Sequence, residues 1–342
     1  MADLALQRLR VGTMLALPAP ILRALSGGQA MHVGGRTLDP RLQFLASQAR
    51  RTPPPAGLEE ARAAARELVA LLGARLAPGV RVEALSVPGA AGEIDARAYR
   101  PQDQDPATPL MVFAHFGGGV IGDLDTCHAF CSLLAREARC AVLSIAYRLA
   151  PEHRFPAGLD DMLAAYHWAS EEAEQFGAPA GRAAIGGDSM GGNFAAILCQ
   201  ELKRGGAPQP AMQLLIYPAL DVAAEGGSMI TYSEAWPLTA ATMQWFMGQY
   251  LGPEDAPGDP RLSPVREPDV SGLAPAVIAT AGFDPLLDQG EAYAKALQAA
   301  GVAVHYRRYD ALAHAFTAMT GLVPAAEAAC REIAALTRRA LS

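Results

Sequence analysis

The sequence predicts an α/β fold built on a mostly parallel sheet covered on both faces. Short, continuous apolar runs recur at 110–114, 141–146, 183–186, 214–217 and 276–279, each separated from the next by helix-like sequence. Strands buried on both faces read as such runs because helices cover each side of the sheet. Size and composition agree. A chain of 342 residues, 51% hydrophobic and 18% charged, can bury a core of its own, which excludes disordered, fibrous and disulfide-stapled classes. The third observation is a strand-turn-helix signal, in which the run at 183–186 enters Gly187-Asp188-Ser189-Met190-Gly191-Gly192 and a helix begins near Asn193.

The elements follow in chain order. Arg8 and Arg10 precede an apolar stretch at 11–22 that imitates a secretion signal, but Asp3, Pro18 and Pro20 break the pattern. No uninterrupted apolar run reaches the ~18 to 20 residues a bilayer-spanning helix needs, so no integral membrane association is expected. Leu38-Asp39-Pro40 supplies an N-cap and a proline at the first helical position, opening a helix to about Arg51 that Thr52-Pro53-Pro54-Pro55 stops. Residues 58–76 place apolar side chains at helical spacing, as in an amphipathic surface helix. Residues 80–87 and 94–99 alternate with period two around Pro88-Gly89-Ala90-Ala91-Gly92, as in an antiparallel strand pair, and 302–309 alternates likewise. The stretch 222–262 interrupts the rhythm with Gly, Ser, Trp and Met and reads as an insertion that returns to the N-terminal helices.

Charge and cysteine usage narrow the function classes. A net charge of −7 offers no basic surface to a phosphate backbone, so nucleic acid and anionic membrane partners are not expected. Cys127, Cys131, Cys140, Cys199 and Cys330 are odd in number and contain no CxxC pair, which argues for reduced thiols in a cytoplasmic setting. Cys127 and Cys131 flank His128, but the four-ligand pattern of structural zinc is absent and no metal is expected; helical packing accounts for them.

The chemistry concentrates on a few residues. A serine on a sharp strand-to-helix turn needs small neighbours two positions either side, and Gly187 and Gly191 supply them around Ser189. A serine hydroxyl is a weak nucleophile until a base removes its proton, and that base must be oriented by a third group. Asp284 follows the run at 276–279 and lies 95 residues after Ser189; His314 follows the alternating strand 302–309, 30 residues further on. Both sit past the C-terminal ends of strands, where α/β sheets place ligands. Asp288 is the alternative acid. His305 lies within the alternating strand and is expected to face solvent, and His153 and His167 precede the serine, against the expected order.

Catalysis of this kind also needs backbone N–H groups to receive the charge on a substrate carbonyl oxygen, and His115-Phe116-Gly117-Gly118-Gly119 directly follows the run at 110–114. The Met190 amide, beside the nucleophile, is a further donor. The same loop satisfies GxGxxG through Gly117, Gly119 and Gly122. A dinucleotide site would want an acidic residue at the end of the next strand, where Tyr147-Arg148 stands, so no nicotinamide cofactor is expected.

Together these motifs resemble the hormone-sensitive-lipase-like family of α/β-hydrolase esterases, the bacterial family IV carboxylesterases. The resemblance rests on the glycine loop with Gly122-Asp123-Leu124-Asp125-Thr126, on Tyr147-Arg148-Leu149-Ala150-Pro151-Glu152-His153, on the Gly-Asp-Ser-x-Gly-Gly elbow, and on Tyr217-Pro218 and Asp284-Pro285-Leu286. It covers residues from about Thr37 to the C-terminus. It implies an eight-stranded sheet flanked by helices beneath a helical cap. Residues 1–75 would form the N-terminal part of that cap and 222–262 its insertion, with the catalytic core in 76–221 and 263–342.

The resemblance implies Ser189 as nucleophile, His314 as base and Asp284 as orienting acid, with no cofactor. Aligned through Gly122-Asp123, the oxyanion donors fall on Gly117 and Gly118. Three departures stand out. Phe116 occupies the place of the first loop glycine while Gly119 replaces the usual bulky residue, Met190 replaces alanine, and Ala315 replaces the glycine after the histidine. Phe116, Trp236, Met243 and Phe246 are candidates for the substrate wall, with Trp245 beside them.

The implied activity is hydrolysis of short- to medium-chain acyl esters through an acyl-enzyme. The partner is a small-molecule ester, and a homodimer is open. The alternatives are a lactonase, amidase or carbamate hydrolase using the same residues, or a small-molecule receptor, which would lack the histidine present here.

Overall fold

The computed structural model describes residues 2–342. The chain opens with α1 (Ala2–Leu15), α2 (Ala19–Leu25), a short antiparallel hairpin of β1 (His32–Val33) and β2 (Arg36–Thr37), then α3 (Pro40–Ala49) and α4 (Leu58–Leu72). Asp39 caps α3 as its sequence suggests, its carboxylate accepting the Arg41 N–H at 2.7 Å. α4 stops at Leu72 rather than 76, because Gly73 takes extended backbone and its N–H closes on the Val69 carbonyl at 2.7 Å.

The sheet and its helices follow: β3 (Val80–Gly89), β4 (Gly92–Pro101), β5 (Met111–Ala114), α5 (His128–Ala138), β6 (Val142–Ile145), α6 (Ala157–Glu171), β7 (Ala184–Asp188), α7 (Met190–Arg204) and β8 (Gln213–Ile216). After β8 come α8 (Ser228–Thr231) and α9 (Ala240–Tyr250), then β9 (Ala276–Phe283), α10 (Leu287–Ala299), β10 (Val304–Ala313) and α11 (Pro324–Leu341). The eight strands run in the order β10-β9-β8-β7-β5-β6-β4-β3. β3 with β4 and β4 with β6 are antiparallel, and every other neighbouring pair is parallel.

Burial follows the sequence pattern. β5 to β9 are buried at every position, while β3 and β10, the two edges, alternate between covered and open positions. Successive residues serve opposite cores. Val112 and Ala114 join the core under α6, α7 and α10, whereas Met111 and Phe113 join the one under α5 and α11. The cysteines are buried in this packing without disulfides, and the Cys127 thiol lies 3.1 Å from the Ser144 hydroxyl.

Two segments lie outside the alternation. The Arg8 guanidinium donates to the carbonyls of Ala70, Leu71 and Gly73 and so ties α1 to the end of α4. Arg62 of α4 donates to the Val120 and Ala150 carbonyls and forms a two-pronged pair with Glu152, whose carboxyl is held down at about 2 by this partner. The segment after β8 meets the N-terminal one where Arg36 Nη2 donates to the Tyr232 hydroxyl at 2.6 Å.

Candidate active site

Parallel order explains why three distant residues meet. β7, β8, β9 and β10 are neighbours, and Ser189, Asp284 and His314 each stand one residue beyond the C-terminal end of β7, β9 and β10. Ser189 takes φ +55° and ψ −113°, a conformation that L-residues rarely adopt. Its N–H donates to the Ile216 carbonyl at 2.9 Å, and its own carbonyl accepts from Asn193 and Ala219. The flanking glycines follow from contact distance. A Cβ on Gly191 would sit 2.0 Å from the Ala114 carbonyl oxygen, and one on Gly187 would sit 2.3 Å from the Gly191 carbonyl carbon. α7 begins at Met190, three residues before the predicted start near Asn193, because the turn leads straight into the helix.

Ser189, His314 and Asp284 form one hydrogen-bonded line. His314 Nδ1 lies 2.7 Å from Asp284 Oδ2 and Nε2 lies 3.0 Å from Ser189 Oγ. With Nδ1–H donating to the carboxylate, the Nε2 lone pair faces the serine hydroxyl, the arrangement that lets a base take the serine proton. The second Asp284 oxygen accepts the Leu286 N–H at 2.9 Å, which fixes the carboxylate. Asp288, the alternative acid, instead accepts the Ser228 N–H at 2.8 Å. His305, His153 and His167 are exposed and make no contact with this line.

The glycine loop after β5 lies beside the serine turn. Gly117, Gly118 and Gly119 have φ of +124°, +65° and +73°, the left-handed region that favours glycine. Among the described residues, the N–H groups of Gly117, Gly118 and Met190 meet no protein acceptor, so they are available to a developing oxyanion. His115 supports the loop from below. Its Nδ1 lies 2.7 Å from the Phe116 carbonyl, its ring stacks on Tyr147 at 4.3 Å, and burial pushes its pKa down to about 4, so the imidazole is neutral. α5 begins only at His128, so Gly122 opens no helix and the dinucleotide arrangement is not formed. Among the described residues no group of three His, Cys, Asp or Glu side chains is placed to hold a metal ion.

The four wall candidates fall in three packing clusters. Phe246 touches the loop, since a Cβ on Gly118 would lie 2.6 Å from its ring, and Met243 is one turn earlier on α9. Phe116 packs against Val69 and Ala318, while Trp236 packs with the core that contains Tyr232 and Phe283. Tyr250, which no motif in the sequence marks, lies against Gly119 as Phe246 lies against Gly118.

Asp188 is the larger omission. Its Oδ2 accepts from the Tyr217 and Thr317 hydroxyls at 2.8 Å each, Oδ1 has no partner, and the Tyr217 ring lies 4.7 Å from that of His314. A charged residue closing an otherwise apolar strand was the available signal. Burial pushes its carboxyl up to about 6, against the pull of Thr317, Tyr217 and His314. With the folded pKa raised, the stability this group contributes is full below about 4 and lost as pH climbs through about 6. Raising this carboxyl from its ordinary value to about 6 corresponds to about 3 kcal/mol. Asp188→Asn is therefore expected to gain stability relative to the parent between pH 4.5 and pH 8. Thermal unfolding at both pH values checks this, and an unchanged difference contradicts it.

The comparisons with known proteins agree with the geometry. A family model described as the alpha/beta hydrolase fold matches residues 111–318. The carboxylic ester hydrolase LipN of Mycobacterium tuberculosis is 45% identical over 336 residues, covering 95% of this chain and 89% of that protein. The ethyl acetate hydrolase of Pseudomonas putida is 39% identical over 68% of this chain and 74% of its own length. Among solved structures, the hyperthermophilic esterase from the archaeon Pyrobaculum calidifontis superposes with a TM-score of 0.81 at 34% identity, over 88% of this chain and 98% of that one. Sheet, motifs and relatives together place this chain in the hormone-sensitive-lipase-like carboxylesterases of the α/β-hydrolase fold.

Proposed function

We propose that Ser189, His314 and Asp284 carry out the carboxylic ester hydrolysis of this enzyme in two acyl-transfer steps. The observation that supports this reading is the unbroken line from Asp284 Oδ2 through His314 to Ser189 Oγ, with steps of 2.7 and 3.0 Å. Ser189 Oγ attacks the ester carbonyl carbon while His314 Nε2 takes its proton, and the amides of Gly117, Gly118 and Met190 receive the oxyanion. His314 then gives the proton to the leaving alcohol. Water repeats the sequence against the acyl-enzyme and releases the acid. Asp284 holds the imidazole in the required tautomer throughout.

Residues 1–75 and 222–262 are read as two parts of one cap, and contacts support this: Arg62 reaches the glycine loop from the first, and Phe246 and Tyr250 lie on that loop from the second. A loop covered this closely favours short- and medium-chain acyl groups. The name of the Pseudomonas relative, an ethyl acetate hydrolase, points the same way. The buried, unpaired thiols favour a reducing, cytoplasmic compartment. A homodimer belongs to this reading as an assembly still to be measured.

Hydrolysis of nitrophenyl esters from acetate to palmitate tests the acyl range. The expected result is greatest kcat/KM among short and medium chains. A maximum at palmitate contradicts it, and activity only on lactones or amides moves the same residues to another bond.

A further inference from the structure

The chain's charge is divided unevenly along its length. Residues 1–51 hold seven arginines and two aspartates, a formal +5, which leaves −12 on residues 52–342. Among the described residues no carboxylate pairs with any of those seven; the ion pairs begin at Arg62. Arg8 is spent on backbone carbonyls and Arg36 on the Tyr232 hydroxyl, so their charge is held in place without being neutralised.

The same segment exposes apolar side chains on helix faces. α1 turns Arg8, Gly12 and Leu15 inward, where Leu15 is buried and a Cβ on Gly12 would lie 3.5 Å from Leu322. Leu6, Leu9, Arg10 and Thr13 share the opposite face at helical spacing, and all four are exposed, with Leu6 at 46% and Leu9 at 67%. α2 buries Leu22 and presents Ile21 and Leu25 at 45% and 43%. Outward leucines beside unneutralised arginines are the two ingredients of a helix that lies in a membrane interface, one for the acyl boundary and one for anionic headgroups.

We propose that the outward faces of α1 and α2 dock this enzyme on an anionic lipid surface. The charge division also sets its orientation, since the −12 remainder is repelled by the surface that attracts the N-terminal segment. A second copy is the poorer occupant. A two-fold interface through α1 and α2, whose sequences hold three arginines against one aspartate, would set like charge against like. A nucleic acid would leave the four apolar side chains without a partner. The −7 total, which by itself argued against anionic partners, conceals this local surface. Docked in this way, the enzyme would meet esters that partition into the membrane interface.

Flotation with vesicles tests the proposal. The full chain is mixed with vesicles of phosphatidylcholine, or of phosphatidylcholine with phosphatidylglycerol. About tenfold more protein is expected to float with the anionic vesicles, with loss at high salt. Leu6→Ser with Leu9→Ser, and separately Arg10→Glu, are each expected to lower that recovery about tenfold while turnover of a short soluble ester is unchanged. Ile21→Ser with Leu25→Ser is an independent variant should the α1 changes disturb folding. Equal recovery with both vesicle types, or none with either, overturns the proposal, as does sedimentation showing that the leucine substitutions dissociate a dimer. Soluble-ester turnover reports separately on the catalytic reading, which this inference does not require.

Discussion

Ser189→Ala is expected to lower kcat by at least on the order of 10³-fold while leaving the fold intact. The substitution keeps Cβ, so the turn that holds residue 189 at φ +55° meets no new atom. It removes the oxygen proposed to attack, which lies 3.0 Å from His314 Nε2. The Gly117, Gly118 and Met190 amides survive, so ester binding is expected to persist and KM to move far less than kcat. Steady-state kinetics on a nitrophenyl ester, with circular dichroism as a control, measures both. Turnover near that of the parent in a folded variant would remove Ser189 from the mechanism.

Gly191→Ala is expected to destabilise the protein severely through steric conflict alone, because residue 191 needs no left-handed backbone. The added Cβ would meet the Ala114 carbonyl oxygen at 2.0 Å and its carbon at 2.6 Å, both backbone atoms. β5 cannot retreat, because it is hydrogen-bonded between β6 and β7. The helix must therefore lift away from the sheet, and a loss of about 3 kcal/mol or more follows from overpacking against an immovable backbone. Gly248→Ala is the control. It lies in α9, a Cβ there meets nothing within 4 Å, and a gain of up to about 1 kcal/mol in helix propensity is expected. Thermal unfolding of both variants decides the matter, and a Gly191→Ala protein as stable as its parent would contradict the contact argument.

Much of the site was legible because its parts carry local signals. Ser189 is marked by glycines that its strained turn requires, and Asp284 and His314 by their places just after apolar or alternating runs. The five buried strands were visible for a related reason: both faces are covered, so their sequences are apolar without interruption. What escaped depends on contacts between distant segments. Phe246 was a candidate by its character, but nothing near Tyr250 announces that its ring rests on Gly119. Asp188 gains its meaning only from Tyr217 and Thr317, 29 and 129 residues away. Trp236 was grouped with the wall by its character alone, and it packs against the core that includes Tyr217 and Phe316. The departure at Ala315 acquires a physical sense in three dimensions, because that residue holds φ +57°, the left-handed region where glycine would be unstrained.

In the proposed mechanism one residue, Ser189, forms a covalent bond to the acyl group in each turnover. Incubation with a nitrophenyl alkylphosphonate, followed by release of nitrophenolate and mass spectrometry of the digested protein, tests it most directly. The expected result is one equivalent released per chain, activity lost in proportion, and the added mass on the peptide that contains Ser189. Inactivation with the added mass on any other residue, or activity that survives stoichiometric labelling of Ser189, would contradict it.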